Sequence, residues 1–446
     1  MRIVNKKEPI LLGIGDVAIL FASLIIALII RYQAFPSAAL VNSHLAPFGI
    51  IFLYSIILFY ISGLYGRIIA PSRSIIPGLI IRAQVVNGLI AVALFYFVKE
   101  FDVTPKANLF IYLGISTVGL IIWRFIGHKS LAIRQKSPAI VIGAGSDVEE
   151  LVQEMRHNPR LGLYCKDRID PSVNHEAIVR ALEGDGSAFH YIVADIDDPA
   201  FAQIIPELYR RFFPNAQVID VHDLYEEVFS RVPLSRMNHA WAMTRVSGSS
   251  PRAFDLMKRI IDIFFGLIVG FFACILYPFV ALAIKLETKG PVFISQERVG
   301  KNNKPIHVYK FRSMERNELA KWVPEDVAGG NRVTRVGHFI RATRIDELPQ
   351  ALAILKGDMS LIGPRPDVVG LGMRLEKEIP YYAVRTAVTP GLSGWAQINQ
   401  EKPPQSVAET MVRLSYDLYY IQHRSLGLDF QIALRTLKTL ASRVGM

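Results

Sequence analysis

Residues 260–286 read IIDIFFGLIVGFFACILYPFVALAIKL, a long apolar run in the second half of the chain. Basic residues lie on both sides of it, among them Lys258, Arg259 and Lys289. Positive charge favours the cytoplasmic side of a membrane, so both ends of this run are expected to stay in the cytoplasm. Pro278 removes a backbone hydrogen bond and bends a helix. The run therefore predicts a broken, re-entrant helix that enters the inner leaflet and returns. The alternative is an ordinary span, which places the rest of the chain outside the cell.

Four further apolar runs occupy the first 130 residues: Ile10–Ile30, Pro47–Leu64, Leu79–Val98 and Leu109–Ile126. Each approaches the roughly 20 residues that a helix needs to cross the hydrocarbon core. Residues 1–130 are therefore predicted to form a four-helix transmembrane bundle. Basic residues precede the first run, follow the second (Arg67, Arg73 and Arg82) and follow the fourth, so both ends of the bundle are expected in the cytoplasm.

The composition agrees with a membrane protein that also carries soluble domains. Of the 446 residues, 51% are hydrophobic and 20% are charged, and the net charge is +11. These values exclude disordered and collagen-like classes. The two cysteines, Cys165 and Cys274, indicate a reducing compartment and provide neither a disulfide framework nor a thiolate metal cage. Asp16, in the first apolar run, is interpreted either as a functional carboxylate or as a snorkelling or helix-pairing residue.

Residues 137–247 are predicted to form a small, soluble Rossmann-like α/β domain. Strand-like runs at Ala139–Ile142, Tyr191–Ala194 and Gln217–Val221 alternate with helical stretches. Gly143 and Gly145 follow the first strand, where backbone amides can approach a phosphate. The third glycine of the dinucleotide fingerprint is missing, which favours a structural or regulatory domain over one that uses NAD.

Residues 251–446 hold most of the positive charge, with 27 Lys and Arg against 18 Asp and Glu. A basic domain next to a membrane segment is expected to contact anionic lipid head groups and phosphorylated substrates. Nucleic acid is not expected as a partner, because the basic residues are interleaved with apolar and turn residues.

The segment 343–350, TRIDELPQ, is the strongest candidate for a reactive site. It places Asp346 and Glu347 side by side at the start of a helix. One carboxylate can act as nucleophile or base while its neighbour holds a divalent cation. The alternative is a helix cap with a carboxylate that complements the helix dipole.

Several basic side chains in this half are candidates for phosphate contacts. Arg365 lies between two prolines, in a rigid loop that suits a phosphate-gripping guanidinium. Other candidate substrate-binding residues lie on predicted hairpin strands, at the start of the re-entrant run and on an aromatic-rich helix: Arg298, Arg312, Lys258, Arg259 and Asp417. For Asp417, an amphipathic interfacial helix is the alternative interpretation.

Seven ordered motifs between 251 and 446 resemble the bacterial sugar transferases, the monotopic polyprenyl-phosphate hexose-1-phosphate transferases. The motifs are KRIID, GPVFISQERVG, YKFRSM, RIDELPQ, GDMSLIGPRP, PGLSGWAQI and YDLYYI. Residues 1–250 resemble the long form of that family mainly in layout. The resemblance implies a bacterial inner-membrane, multi-pass protein with a mixed α/β catalytic domain in the cytoplasm.

The resemblance also implies a reaction. A UDP-hexose, with glucose or galactose, gives its hexose 1-phosphate to undecaprenyl phosphate and releases UMP, the first membrane step of exopolysaccharide, capsule or O-antigen synthesis. Asp346 would be the nucleophile, Glu347 would bind Mg²⁺, and Arg365, Arg298 or Arg312 would contact phosphate. The extra domains are compatible with a homodimer. Two alternatives stay open: a membrane-anchored NAD-dependent sugar-nucleotide dehydratase or epimerase, and a non-catalytic assembly scaffold.

Overall fold

A computed structural model describes residues 7–65, 76–97, 106–131, 136–158, 161–170, 191–196, 198–203, 205–206, 209, 217–246, 252–315, 333–400 and 403–442. Arg67 and Arg73, used above to orient the apolar runs, lie outside these residues. The described part of the chain divides into two compact units between Val228 and Phe229. The division precedes the expected boundary at 247–251.

The first unit begins with four long helices: α1 (Lys7–Tyr32), α2 (Ala38–Ile61), α3 (Ile76–Phe97) and α4 (Lys106–Leu131). α1 packs against α2 and α4, and α3 also packs against α2 and α4. Leu20, Leu24, Phe48 and Tyr112 are buried in their common core, whereas many other apolar side chains face outwards. Each of the four helices is long and apolar enough to cross a membrane, as the apolar runs predict.

Buried polar pairs join these helices. The Asp16 carboxylate in α1 is ion-paired with Arg124 in α4 and accepts a hydrogen bond from Tyr65. Arg124 also donates to the backbone oxygen of Leu64 at 2.8 Å. A buried charge is costly unless it is paired, so this contact favours one arrangement of the two helices. The helix-pairing interpretation of Asp16 is confirmed.

A four-stranded parallel sheet follows, with strands β1 (Ser137–Ile142), β2 (Leu163–Ile169), β3 (Tyr191–Ala194) and β4 (Gln217–Asp220) in the order β2-β1-β3-β4. Helices α5 (Ser146–His157), α6 (Pro199–Ala202) and α7 (Val221–Phe229) connect or follow the strands. Three of these strands coincide with the predicted runs. β2 was not predicted, because it is an edge strand in which several side chains are polar and exposed.

The turn after β1 contains Gly145 at φ 99°, a left-handed conformation that favours glycine. This turn leads directly into α5, as the sequence predicts. The parallel sheet of the small α/β domain is therefore present, with one strand more than expected.

In the second unit, α8 (His239–Arg245) packs on the core of the C-terminal half through Trp241, which is buried with Leu414 and Leu418. Residues 229–246 therefore lie with the C-terminal unit rather than with the sheet.

Helix α9 (Arg252–Glu287) is 36 residues long, and Pro278 lies inside it. It continues through the proline instead of ending there, so the predicted interruption into two helices is not observed. Val280 and Ile284 pack with Phe311 and Ile340 in a small core. The opposite face leaves large apolar side chains more than half exposed: Ile260, Phe264, Leu267, Phe271, Phe279 and Leu282.

The remaining elements of this unit follow α9 along the chain. Strands β5 (Phe293–Val299) and β6 (Pro305–Phe311) form an antiparallel hairpin, and β7 (Ser360–Ile362) pairs in parallel with β8 (Gly391–Ser393). The helices are α10 (Arg335–Ala342), α11 (Ala351–Lys356), α12 (Val369–Glu378), α13 (Trp395–Asn399), α14 (Val407–Gln422) and α15 (Leu426–Ser442). 3₁₀ turns occur at Ile345–Gln350 and Tyr382–Ala387.

Candidate active site

The two adjacent carboxylates lie on the 3₁₀ turn between α10 and α11. Arg344, which precedes the turn, has φ 58° and ψ 16°, a left-handed conformation that is common just after the end of a helix and that stops α10 here. Asp346 and Glu347 are 8% and 9% exposed. The sharp turn therefore presents both carboxylates at a largely buried position where other charged residues can reach them.

Glu347 is held by cations. Its Oε1 atom accepts hydrogen bonds from Arg365 Nη2 at 2.8 Å and from Lys310 Nζ at 3.1 Å, and Arg344 Nη1 lies 3.9 Å away. Burial alone would raise the pKa of this carboxyl, but Arg365 and Lys310 hold it well below its usual range. Glu347 is therefore ionised at any physiological pH.

Asp346 has a different environment. Among the residues that the structure describes, its buried Oδ1 atom has no hydrogen-bond partner. Burial, and then the charge of Glu347, raise the pKa of the Asp346 carboxyl above its ordinary value. A carboxylate oxygen that is desolvated and unpartnered is well suited to nucleophilic attack, since no hydrogen bond has to be broken first.

Lys310 was not among the residues singled out from the sequence. It lies on β6, within the YKFRSM motif, and its ammonium group contacts Glu347. Burial lowers the pKa of Lys310, and Glu347 partly opposes this shift. The alternation of β6 was its only signal, because it places Lys310 on the opposite face from Tyr309.

The loop that carries Arg365 is held at three successive carbonyl groups. Pro364 O accepts from Gly391 N at 2.9 Å, and Pro366 O accepts from Arg298 Nη1 at 2.7 Å. Arg365 O accepts from both Arg385 Nη2 and Arg413 Nη2 at 2.8 Å. With its backbone fixed in this way, the loop holds the Arg365 guanidinium against Glu347.

The approach of the two motifs that meet at this loop requires glycine. A Cβ atom on Gly363 would lie 2.6 Å from the backbone oxygen of Thr389 and 2.9 Å from the nitrogen of Gly391. Side chains at this crossing would separate β7 from β8 and move the neighbouring Arg365. Glycine at position 363 therefore lets the backbones of GDMSLIGPRP and PGLSGWAQI come into contact.

A buried ion-pair network lies behind the loop. Arg385 pairs with Asp367 and, at 2.8 Å, with Asp417, while Tyr382 donates to Asp367 at 2.7 Å. Arg413 also pairs with Asp367, at 3.1 Å. Asp417 is 1% exposed. The structure therefore places Asp417 inside this network, in contact with Arg385 rather than with Asp346 or Glu347.

Arg298 and Arg312, both predicted phosphate ligands, lie in different places. Arg298 contacts the Pro366 carbonyl, and burial followed by the charge of Arg365 lowers its pKa to about 10. Arg312 is buried at the end of α9, where it donates to the backbone oxygens of Thr288 and Lys289. Only Arg298 of the two is near the carboxylates.

Lys258 and Arg259 hold α9 onto the C-terminal unit. Lys258 Nζ lies 2.7 Å from an Asp429 oxygen, and Arg259 donates at 2.6 Å to the backbone oxygens of Ile354 and Leu355 at the end of α11. A guanidinium at a helix C-terminus satisfies carbonyls that have no intrahelical partner. Within the described residues both cations thus have protein partners.

The site combines two carboxylates with a surplus of cations, namely Lys310, Arg365, Arg298 and the half-exposed Arg344. This charge pattern suits a substrate with more than one phosphate. Among the described residues there is no cluster of three or more His, Cys, Asp or Glu that could hold a metal ion. Mg²⁺ is commonly bound by one or two carboxylates together with substrate phosphates, and the adjacent carboxylates fit that arrangement.

Comparison with known proteins agrees with this geometry. The model of the bacterial sugar transferase family matches residues 253–443. The chain is 36% identical over 293 residues to a UDP-N-acetylgalactosamine-undecaprenyl-phosphate N-acetylgalactosaminephosphotransferase of Aeromonas hydrophila, covering 64% of this chain and 68% of the relative.

Two further relatives match the C-terminal half. A UDP-glucose:undecaprenyl-phosphate glucose-1-phosphate transferase of Caulobacter vibrioides is 42% identical over 199 residues, 44% of this chain and 74% of the relative. An exopolysaccharide production protein of Rhizobium leguminosarum is 40% identical over 194 residues, 42% of this chain and 96% of the relative.

Proposed function

This chain belongs to the bacterial sugar transferase family, and we propose that it transfers hexose 1-phosphate from a UDP-hexose to undecaprenyl phosphate. The products are undecaprenyl-diphosphate-hexose and UMP, the first membrane step of exopolysaccharide, capsule or O-antigen synthesis. The names of its relatives favour this function over the dehydratase or scaffold alternatives.

The observation that carries the proposal is the contrast between the two adjacent carboxylates. Glu347 is locked by Arg365 and Lys310, whereas Asp346 has a buried oxygen without a partner in the described part of the chain. One carboxylate is thus fixed and the other is free to react.

The proposed reaction has two steps. In the first, an Asp346 oxygen attacks the β-phosphorus of the UDP-hexose, a phosphorus–oxygen bond to Asp346 forms, and the bond to the bridging oxygen breaks. UMP leaves with the electron pair. In the second step, a phosphate oxygen of undecaprenyl phosphate attacks the same phosphorus and releases the Asp346 carboxylate.

The cations that surround Asp346 and Glu347, the acidic dyad, stabilise the charge of these phosphates. Arg365 is rigidly held and is the main candidate for a bidentate contact, and Arg298 is next to it. Direct substrate contacts by Lys258, Arg259, Arg312 and Asp417 stay predictions, and their bonds within the protein support a role in holding the site together.

A divalent cation, in our proposal Mg²⁺, would be held by Glu347 together with substrate phosphate oxygens. When bound, the cation neutralises part of the negative charge of the diphosphate. Arg365 and Lys310 both donate to Oε1 of Glu347 among the described contacts, so Oε2 is the oxygen that would ligate the cation.

We further propose that α9, although continuous, bends at Pro278 so that both its ends lie on one side of the membrane, and that the catalytic unit lies on the cytoplasmic face of the bacterial inner membrane. Arg259, near the start of α9, and Glu287, at its end, both contact the same unit. Glu287 accepts bonds from the backbone nitrogens of Arg335 and Val336 at 2.6 and 2.9 Å. A helix bound at both ends to one folded unit enters one leaflet more readily than it crosses the bilayer. Inner-membrane lipids are then direct partners of the protein. We also propose that the protein forms a homodimer.

The test is a UMP-release assay on the full chain, with undecaprenyl phosphate, Mg²⁺ and a panel of UDP- and GDP-sugars. We expect UMP only with one or a few UDP-sugars, dependence on the cation, and loss of turnover in Asp346→Asn. Mass spectrometry of the wild type without acceptor should detect a hexose-phosphate adduct on the Asp346 peptide. Wild-type turnover by Asp346→Asn would refute the nucleophile assignment.

A further inference from the structure

A cavity of about 290 Å³, which we call the chamber, lies beside the loop of Arg365, entirely within the C-terminal unit. Its walls are the end of the β5–β6 hairpin that carries the turn, one face of α12 and the 3₁₀ turn at 382–387. Neither Asp346 nor Glu347 lines it. The cavity is therefore adjacent to the proposed reaction centre without being part of it.

The floor of the cavity is polar but internally neutralised. Asp367, Tyr382 and Arg385 line it, and these three side chains bind one another. Because their hydrogen-bonding groups are largely used in the buried network, the floor is rigid and offers little net charge to a ligand.

The edge of the cavity is acidic and apolar. Glu297 on β5 and Glu376 on α12 are exposed carboxylates that line it, and within the described residues neither forms an ion pair. Val369, Met373 and Val388 contribute apolar surface. Carboxylates accept hydrogen bonds from hydroxyl and N–H groups and repel phosphates, so this chamber suits a neutral ring that carries such donors.

Arg365 links the chamber to the dyad. It lines the cavity, and its guanidinium lies 2.8 Å from Glu347. A phosphate bound at this arginine has the reactive carboxylates on one side and the chamber on the other. A nucleotide sugar has the matching layout, because a neutral hydroxyl-bearing ring flanks its diphosphate at each end.

We infer that this chamber binds a neutral, hydroxyl-bearing ring of the nucleotide-sugar donor, with Glu297 and Glu376 accepting hydrogen bonds from it. The inference rests on the proposed function. Two groups of the donor share this chemistry, the hexose and the nucleoside, and the kinetics of chamber variants distinguish them.

The experiment compares the full chain with Met373→Trp, which fills the chamber, and with the double variant Glu297→Gln, Glu376→Gln, which weakens its acceptors. Matched controls are Met411→Trp on α14 and Glu378→Gln on α12, which do not line it. We expect Met373→Trp to raise the donor KM about tenfold, the low end of the change for one group that no longer fits its pocket, with an unchanged KM for undecaprenyl phosphate. Thermal unfolding of each variant confirms that it is folded.

The pattern across donors identifies the ring. If the hexose occupies the chamber, the chamber variants change the ratio of kcat/KM between UDP-glucose and UDP-N-acetylgalactosamine and leave inhibition by UMP unchanged. If the nucleoside occupies the chamber, the binding of all donors and of UMP weakens by the same factor. Either result supports the inference.

The inference is overturned if donor KM and UMP inhibition stay within about twofold of the wild type in both chamber variants, a change smaller than the loss of one contact. The proposed function would then remain intact. If the wild type releases no UMP from any nucleotide sugar, both proposals fail together.

Discussion

Nη2 of Arg365 donates a 2.8 Å hydrogen bond to Oε1 of Glu347, across 18 residues of sequence. The contact joins the proline-bounded loop to the 3₁₀ turn that carries the carboxylates. Because the carbonyl of Arg365 is held by Arg385 and Arg413, the guanidinium is fixed from behind. Fixed cations stabilise developing phosphate charge without reorganising during the reaction, which gives this pair a direct role in the proposed chemistry.

Replacing Arg365 should therefore damage the chemical step more than substrate binding. We expect Arg365→Ala to lower kcat about 10²–10³-fold, the cost of removing one preorganised donor. UMP release under saturating donor measures it. Arg374→Ala is the control, since Arg374 is exposed and pairs only with Glu378 among the described contacts. Equal loss of activity in the two variants would contradict a specific role for Arg365.

The pH dependence should follow Asp346. Burial and Glu347 raise its pKa, and the attacking form is ionised, so kcat/KM falls as the pH decreases through this raised pKa. Lys310 lowers the pKa of Asp346, and its removal should move the acidic limb of the profile to higher pH. We expect this shift in Lys310→Gln, measured over a pH range that begins near the ordinary Asp pKa of about 3.9, and none in Lys304→Gln on the hairpin turn. A limb that stays in place or moves to lower pH would show that another group controls it.

Asp417 distinguishes a support role from direct substrate contact. It is buried and paired with Arg385. Breaking one side of a buried ion pair commonly costs about 3 kcal/mol. We therefore expect Asp417→Asn to lower the free energy of unfolding of the catalytic unit by about that amount and to lower kcat through the Arg365 loop. Denaturant unfolding and steady-state kinetics measure the two effects. A variant of unchanged stability with only a raised KM would instead make Asp417 a substrate ligand.

These residues also indicate how far the sequence could predict the site. The dyad and the proline-bounded arginine were recognisable because each is a local pattern of adjacent residues. Lys310, Arg385 and Arg413 were missed because each comes from a different element, and only the folded chain brings them to Glu347 or to the Arg365 carbonyl. Arg312 carried the same local signal as Arg298, but it follows the last residue of β6, at the end of the hairpin away from its turn, where it contacts Thr288 and Lys289 after α9.

The same distinction applies to the fold. Apolar runs predicted the long helices, since hydropathy is a property of contiguous residues. The edge strand β2, LYCKDRI, has no such run and forms because β1 offers it a pairing edge. The burial of Asp16 with Arg124 likewise depends on the packing of α1 against α4.

The membrane topology of α9 determines on which side of the membrane the reaction can occur. Lys301 lies on the turn between β5 and β6, after α9, and Arg252 begins the helix. If α9 is re-entrant, single cysteines at Arg252 and Lys301, in a background with Cys165→Ser and Cys274→Ser, react with a membrane-impermeant maleimide only after the inner membrane is opened. Ser37→Cys, between α1 and α2, is the control on the opposite face, because basic flanks predict that loop to be periplasmic. Labelling of Arg252→Cys and Lys301→Cys from opposite sides would make α9 an ordinary span. The carboxylates would then be separated from the cytoplasmic nucleotide sugar, and the proposed reaction would lose its donor.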